Sequence, residues 1–133
     1  MISVLKKGGL AWIVSVSLLL MLSSARVTAG DLAGIWQHES EPVWIQIEAN
    51  ETVGRVQRND NKPEAVGFEM IKDLAQTGND KVRWTGQVYA AKLGEFKSAE
   101  IELIDEDVMR FKVKVGFMSR TVEWQRVDEV PVD

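Results

Sequence analysis

The chain has 133 residues, no cysteine, one histidine and a formal net charge of −4. Without cysteine it has no disulfide, no thiolate nucleophile and no thiolate metal site. Its length suits one domain and leaves no room for a second.

Lys6 and Lys7 open the chain, an uncharged apolar run extends from Leu10 to Leu22, and small residues follow from Ser23 to Ala29. That order of basic, apolar and small residues is the pattern of a secretory signal peptide. A spanning helix needs about 20 apolar residues, more than the run at 10–22 supplies. Val27 and Ala29 place the cut after Ala29, and no cysteine follows that could carry a lipid. The expected product is a single domain, residues 30–133, in the periplasm or outside the cell, with no membrane span once the leader is gone. Losing Lys6, Lys7 and Arg26 leaves 13 basic residues against 20 acidic ones, a net charge of −7. Overall, such a charge disfavours nucleic acid and anionic headgroups, which bind basic patches.

Beyond the leader, apolar residues recur with period two, the pattern of half-buried strands. Gly34-Ile-Trp36 begins the first strand. Val43, Ile45 and Ile47 alternate with Trp44, Gln46 and Glu48, and a turn at Asn50-Glu51 returns the chain through Val53–Gln57 as a hairpin. Residues 58–63 are rich in turn formers and read as a loop. Residues 64–76 fit two patterns: Phe68, Ile71 and Ala75 with Met70 and Leu74 could line a short helix, and residues 65–71 could equally be a strand. After the turn at Thr77–Asp80, Val82, Trp84, Gly86 and Val88 alternate with Arg83, Thr85, Gln87 and Tyr89. Leu93-Gly94-Glu95 turns the chain into Ser98–Leu103, and Asp105–Asp107 turns it again. Met109, Phe111, Val113 and Val115 then face one way and Arg110, Lys112 and Lys114 the other. Gly116–Ser119 leads into a last strand, Thr121–Val127, and a tail from about residue 128 that carries Pro131 and reads as frayed. Seven or eight short strands in hairpin sequence must hide their edges, which predicts an all-β, up-and-down antiparallel barrel.

The set Gly34-x-Trp36, Ile45-x-Ile47, Gly54-x-Val56, Gly67 with Met70-Ile71, Trp84-x-Gly86-x-Val88-Tyr89, Lys92-x-Gly94 and Trp124-x-Arg126 resembles a family of small secreted bacterial proteins, domain of unknown function 2147. The likeness runs from about Leu32 to Val127 and implies a lipocalin-like barrel of the calycin kind. It brings no reaction with it. Where the family tends to have Asp-Pro after the tyrosine this chain has Ala90-Ala91, and where it has a second tyrosine this chain has Phe96. The resemblance also implies that Gly34, Trp36, Trp124 and Arg126 form a structural closure, with Trp36 packed under the basic side chain of Arg126.

Little in the chain points to catalysis. His38 lies beside Glu39 and Glu41, but neighbouring strand residues point to opposite faces, so the three do not converge on a metal. Ser40, Ser98 and Ser119 have no nucleophile-elbow context. The acids fall at turns or on outward strand positions, and there is no glycine-rich phosphate loop. No cofactor is expected, and the protein reads as a non-enzyme, with a hydrolase built on carboxylates alone as the weakest alternative. The aromatic residues remain. Trp36, Trp84, Phe111 and Trp124 fall on the inner face, where they either fill the core or line a pocket. The leading expectation is a binder of a small apolar molecule held by Trp84, Val88 and Phe111, with Tyr89 and Phe96 on the outer face or near a rim. Next comes an interaction module for another envelope protein, docking through an exposed Trp44 and the strand edges.

Overall fold

The computed structural model describes residues 32–133; the leader and its cut after Ala29 lie outside the described residues. Eight strands run in chain order: β1 (Gly34–His38), β2 (Val43–Ile47), β3 (Gly54–Asn59), β4 (Glu69–Gln76), β5 (Arg83–Ala90), β6 (Glu95–Asp105), β7 (Val108–Val115) and β8 (Met118–Val127). Each pairs antiparallel with the next, and β8 returns to pair with β1, so the sheet is a closed up-and-down barrel. Closure gives every strand two neighbours and leaves no long edge open to another chain.

The period-two pattern sets which face turns inward. Trp36 on β1, Ile45 and Ile47 on β2, Val56 on β3, Trp84 and Val88 on β5, Ala99 and Ile101 on β6, Met109, Phe111 and Val113 on β7 and Trp124 on β8 form one buried cluster with Leu32, Ile71 and Leu74. Lys112, between buried Phe111 and Val113, and Lys114, between buried Val113 and half-buried Val115, are exposed. A shift of one residue would exchange these two sets, so the core pins the register Ile101↔Phe111 and Phe111↔Val122.

The ambiguous stretch becomes a one-turn 3-10 helix at Pro63–Ala65 and then β4. Its helix-like spacing has a physical origin. The β4–β5 register shifts between Lys72 and Ala75, and Asp73 takes a φ of 58°. A bulge of this kind puts an extra residue in one strand. Ile71 and Leu74, three apart in sequence, are therefore both buried in the same core.

An up-and-down barrel gathers alternate connections at each end. The start of the described chain, the end of β8 and the turns at 48–53, 77–82 and 106–107 share one end; the connections at 39–42, 60–68, 91–94 and 116–117 share the other. At the first, Leu32 is buried and its carbonyl accepts a hydrogen bond from Trp36 Nε1 at 3.0 Å. We call this the closed end and its opposite the far end. The tail read as frayed turns back along the wall, where Arg58 donates to the Pro131 carbonyl at 2.7 Å and pairs with Asp133 at 2.9 Å.

Candidate functional site

The residues expected to hold a ligand divide between two surfaces. Trp84, Val88 and Phe111 are buried in the central cluster with Trp36, Ile71, Ile101 and Met109. The ring of Phe111 packs against that of Trp124 at 5.6 Å between centroids, and His38 closes on Trp124 edge-on at 4.9 Å. Gly86 suggests vacant space beside Trp84, but the structure corrects that expectation. A Cβ on Gly86 would press on the Lys72 carbonyl oxygen at 3.3 Å and touch Leu74 Cδ2 at 3.5 Å and Ile101 Cδ1 at 3.7 Å, so β4 and β6 close in on the glycine to within one added carbon. A barrel of eight strands is narrow enough to be plugged in this way.

Tyr89 and Phe96 are opposite each other across β5 and β6 and lie on the outer wall with Phe68, which sequence reasoning passed over. Tyr89 meets Phe68 at 4.9 Å and Phe96 at 5.3 Å, both edge-on, and Lys72 Nζ sits 4.0 Å above the Phe96 ring. These three rings are a wall cluster near the far end, separate from Trp84, Val88 and Phe111.

The closed end joins the residues implied as a structural closure. Trp36 and Arg126 are direct cross-strand partners, and the guanidinium lies 4.3 Å from the centre of the Trp36 ring. Arg126 also donates to the carbonyls of Ala33 and Glu106. Gly34 has a φ of 141°, and a Cβ there would come within 2.6 Å of Arg126 Nη1. Only glycine leaves the guanidinium that path. Trp124 belongs to the inner cluster, and its buried Nε1 has no hydrogen-bond partner among the described residues.

Trp44 requires a correction. It points outward on β2, as the alternation predicts, yet it is only 7% exposed. Its cross-strand partner Arg58 lies over the ring at 5.5 Å, and Arg58 is itself held by Asp60, Pro131 and Asp133. The indole is thus covered from within the chain and offers no docking surface. The pattern of one strand reports which face a residue takes, but not that a remote tail returns to cover it.

Polar chemistry is sparse among the described residues. No polar or charged residue is buried, and no three of His, Asp and Glu converge as metal ligands. His38 Nδ1 accepts hydrogen bonds from the backbone N–H groups of Ser40 and Glu41, each at 3.1 Å, and so shapes the β1–β2 connection. Burial pushes its pKa below the ordinary value of 6.5 against the opposing pull of Glu41 and Glu39. Two shallow concavities lie in the wall. One, of about 310 Å³, is bordered by Thr85, Gln87, Ser98, Glu100 and Lys114, and the other, of about 250 Å³, by Gln37, Glu39, Glu123 and Gln125.

Apolar exposure gathers at the far end. Eight large apolar residues are exposed among those described: Val66, Phe68, Val82, Leu93, Ile104, Phe117, Met118 and Val132. Five of them, Val66, Phe68, Leu93, Phe117 and Met118, belong to the far-end connections or their immediate margins. Phe117 is 98% exposed, at the tip of a two-residue hairpin that places Gly116 at φ 65°.

The described residues thus form an eight-stranded barrel with a packed core and a far end rich in exposed apolar side chains. A family model covers nearly all of it, from residue 33 to residue 126. The chain belongs to the family described as uncharacterized protein conserved in bacteria, domain of unknown function 2147. No curated protein and no solved structure matches the chain. Family membership spans every strand except the last residue of β8 and takes in both the Trp36–Arg126 closure and the Phe117 hairpin.

Proposed function

We propose that this family member is an exported, non-enzymatic docking module of the bacterial envelope, working through the far end of its barrel. Export follows from the basic, apolar and small segments of residues 1–29. One observation carries the choice of surface: five of the eight exposed large apolar residues gather at one end, with Phe117 almost wholly exposed. Exposed apolar groups gathered in one region mark contact sites, whereas scattered single ones need no such account. The packed surroundings of Trp84, Val88 and Phe111 favour this exterior reading over a lumen ligand.

Photocrosslinking in the producing cells tests the choice. Benzoylphenylalanine at position 117 should give discrete adducts, and the same residue at Ala49, in a closed-end turn, should give none. Equal labelling from both positions, or no adduct from position 117, refutes it. A panel of fatty acids, sterols and aromatic metabolites should leave the tryptophan emission of the wild type unchanged. A response that Trp84→Phe removes would return the function to the lumen.

A further inference from the structure

The β7–β8 hairpin differs in charge from the rest of the chain. Residues 108–122 contain Arg110, Lys112, Lys114 and Arg120 and no acidic residue, although the predicted mature domain is strongly acidic. Arg110 is engaged by Glu123 at 2.8 Å. Lys112, Lys114 and Arg120 are exposed and make no ion pair among the described residues. The same is true of Lys92, beside Leu93 in the neighbouring far-end connection.

The hairpin also projects. The β6 ladder meets β7 no farther along than Val113, and β1 follows β8 back only as far as Trp124. From Lys114 to Ser119 the strands pair only with each other, through Lys114↔Ser119 and Val115↔Met118. Phe117 and Met118 therefore form an apolar tip on a cationic stem, next to a second tip carrying Lys92 and Leu93. Acids stand at both ends, in the turn Asp105–Asp107 and at Glu48, Glu51 and Asp80 at the closed end, and at Glu39, Glu41, Asp60 and Glu64 in the other far-end connections, so the acid-free β7–β8 hairpin is a local exception.

From this arrangement we infer that the β7–β8 hairpin docks the barrel on an anionic phospholipid bilayer, with Phe117 and Met118 in the headgroup layer and Lys112, Lys114 and Arg120 on the phosphates. The inference rests on the far-end reading above and names its partner. Apolar tip residues combined with a basic surround are what interfacial binding requires, since neither supplies stable attachment alone. The net charge of the chain averages over this division. A field that is locally positive on this hairpin and negative on the acidic connections at 39–42 and 60–68 and at the closed end turns the hairpin itself towards an anionic surface.

Co-sedimentation of the processed protein with vesicles tests the inference. The vesicles are phosphatidylcholine alone, or phosphatidylcholine with about one third phosphatidylglycerol, in about 0.1 M salt. Binding is expected to the anionic vesicles only. Each unpaired cation near the surface raises partitioning about fivefold, so K112Q/K114Q/R120Q should lower it about a hundredfold. F117S should lower it about tenfold or more. Phe117 is too exposed for its loss to unfold the barrel, and unchanged urea midpoints for both variants confirm that the loss is one of docking. In a Phe117→Trp variant, the added emission should shift to the blue on binding and be quenched by brominated lipid. Absence of binding to anionic vesicles, equal binding to neutral ones, or undiminished binding by F117S overturns the inference. Discrete protein adducts from position 117 without vesicle binding would preserve the far-end reading and replace the bilayer with a protein partner.

Discussion

Gly34→Ala tests the closed end most directly, because one added methyl meets two constraints there. The first is conformational: a φ of 141° is strained for any residue with a Cβ, and holding a side chain in such a region costs about 1–3 kcal/mol. The second is steric: the new Cβ would stand 2.6 Å from Arg126 Nη1. The guanidinium must then leave its position over Trp36, forfeiting a partly desolvated cation–π contact that contributes about 1–2 kcal/mol, along with its grip on the Ala33 and Glu106 carbonyls. The two effects together amount to about 2–5 kcal/mol, a large part of the about 5–15 kcal/mol that stabilises a typical domain. Urea unfolding followed by tryptophan emission measures the loss. The decisive comparison is a double-mutant cycle with Arg126→Ala. With the guanidinium already absent, Gly34→Ala retains only its backbone strain, so the double variant should be about 1–2 kcal/mol more stable than the two single losses predict. Strict additivity, or a single-variant loss below about 1 kcal/mol, would show that Gly34 is not there to clear a path for Arg126.

Three further measurements address the core, the β1–β2 connection and the wall. Phe111→Ala should cost about 3–5 kcal/mol, whereas Lys112→Ala, one residue along and outward, should change stability by less than about 0.5 kcal/mol; similar costs for both would contradict the register. Burial lowers the His38 pKa below 6.5, so the stability carried by its neutral form is complete above that value and lost as pH falls below it. Between about pH 7 and about pH 5 the urea midpoint of the wild type should therefore fall more than that of His38→Asn, whose amide oxygen keeps an acceptor for Ser40 and Glu41 without titrating; parallel profiles would refute this. Arg58→Ala, which uncovers Trp44 and releases Pro131 and Asp133, should shift emission to the red and speed proteolysis after Val127, and an unchanged spectrum would mean that the strands alone bury the indole.

What could be read from the sequence, and what could not, follows from the range of the interactions involved. Val82 to Val88 and Met109 to Val115 alternate cleanly because each strand buries one face, so period two carries both fold class and register. Residues 64–76 resisted because the bulge around Asp73 puts Ile71 and Leu74 in one core three positions apart, which is helix spacing in a strand. Trp44 looked exposed because the residues that cover it, Arg58 and through it Pro131 and Asp133, come from another strand and from the chain end. The space beside Gly86 looked open for the same reason, since the Lys72 carbonyl, Leu74 and Ile101 close in on it from adjacent strands. Phe68 lay inside the stretch that could not be assigned, so its meeting with Tyr89 and Phe96 had no local signal.

The far end presents the opposite case: its signal was local, although sequence reasoning takes Gly116–Ser119 only as a turn and passes over Phe117. Gly116-Phe117-Met118 reads as a turn, and turns in a stable barrel are expected to be polar. Two apolar residues there serve no internal packing: Phe117 is 98% exposed and Met118 60%. Neither stabilises the fold, and both raise the risk of aggregation, a cost that persists only where the side chains have a use. A core-filled barrel has few other places to put a function. Its inner face carries a continuous buried cluster, its Trp36–Arg126 end is closed by structural contacts, and Trp44 is covered by Arg58. The unpaired cations that flank the exposed tip are on this view part of the same device, and the acidic remainder of the chain keeps the other surfaces from competing for the anionic partner.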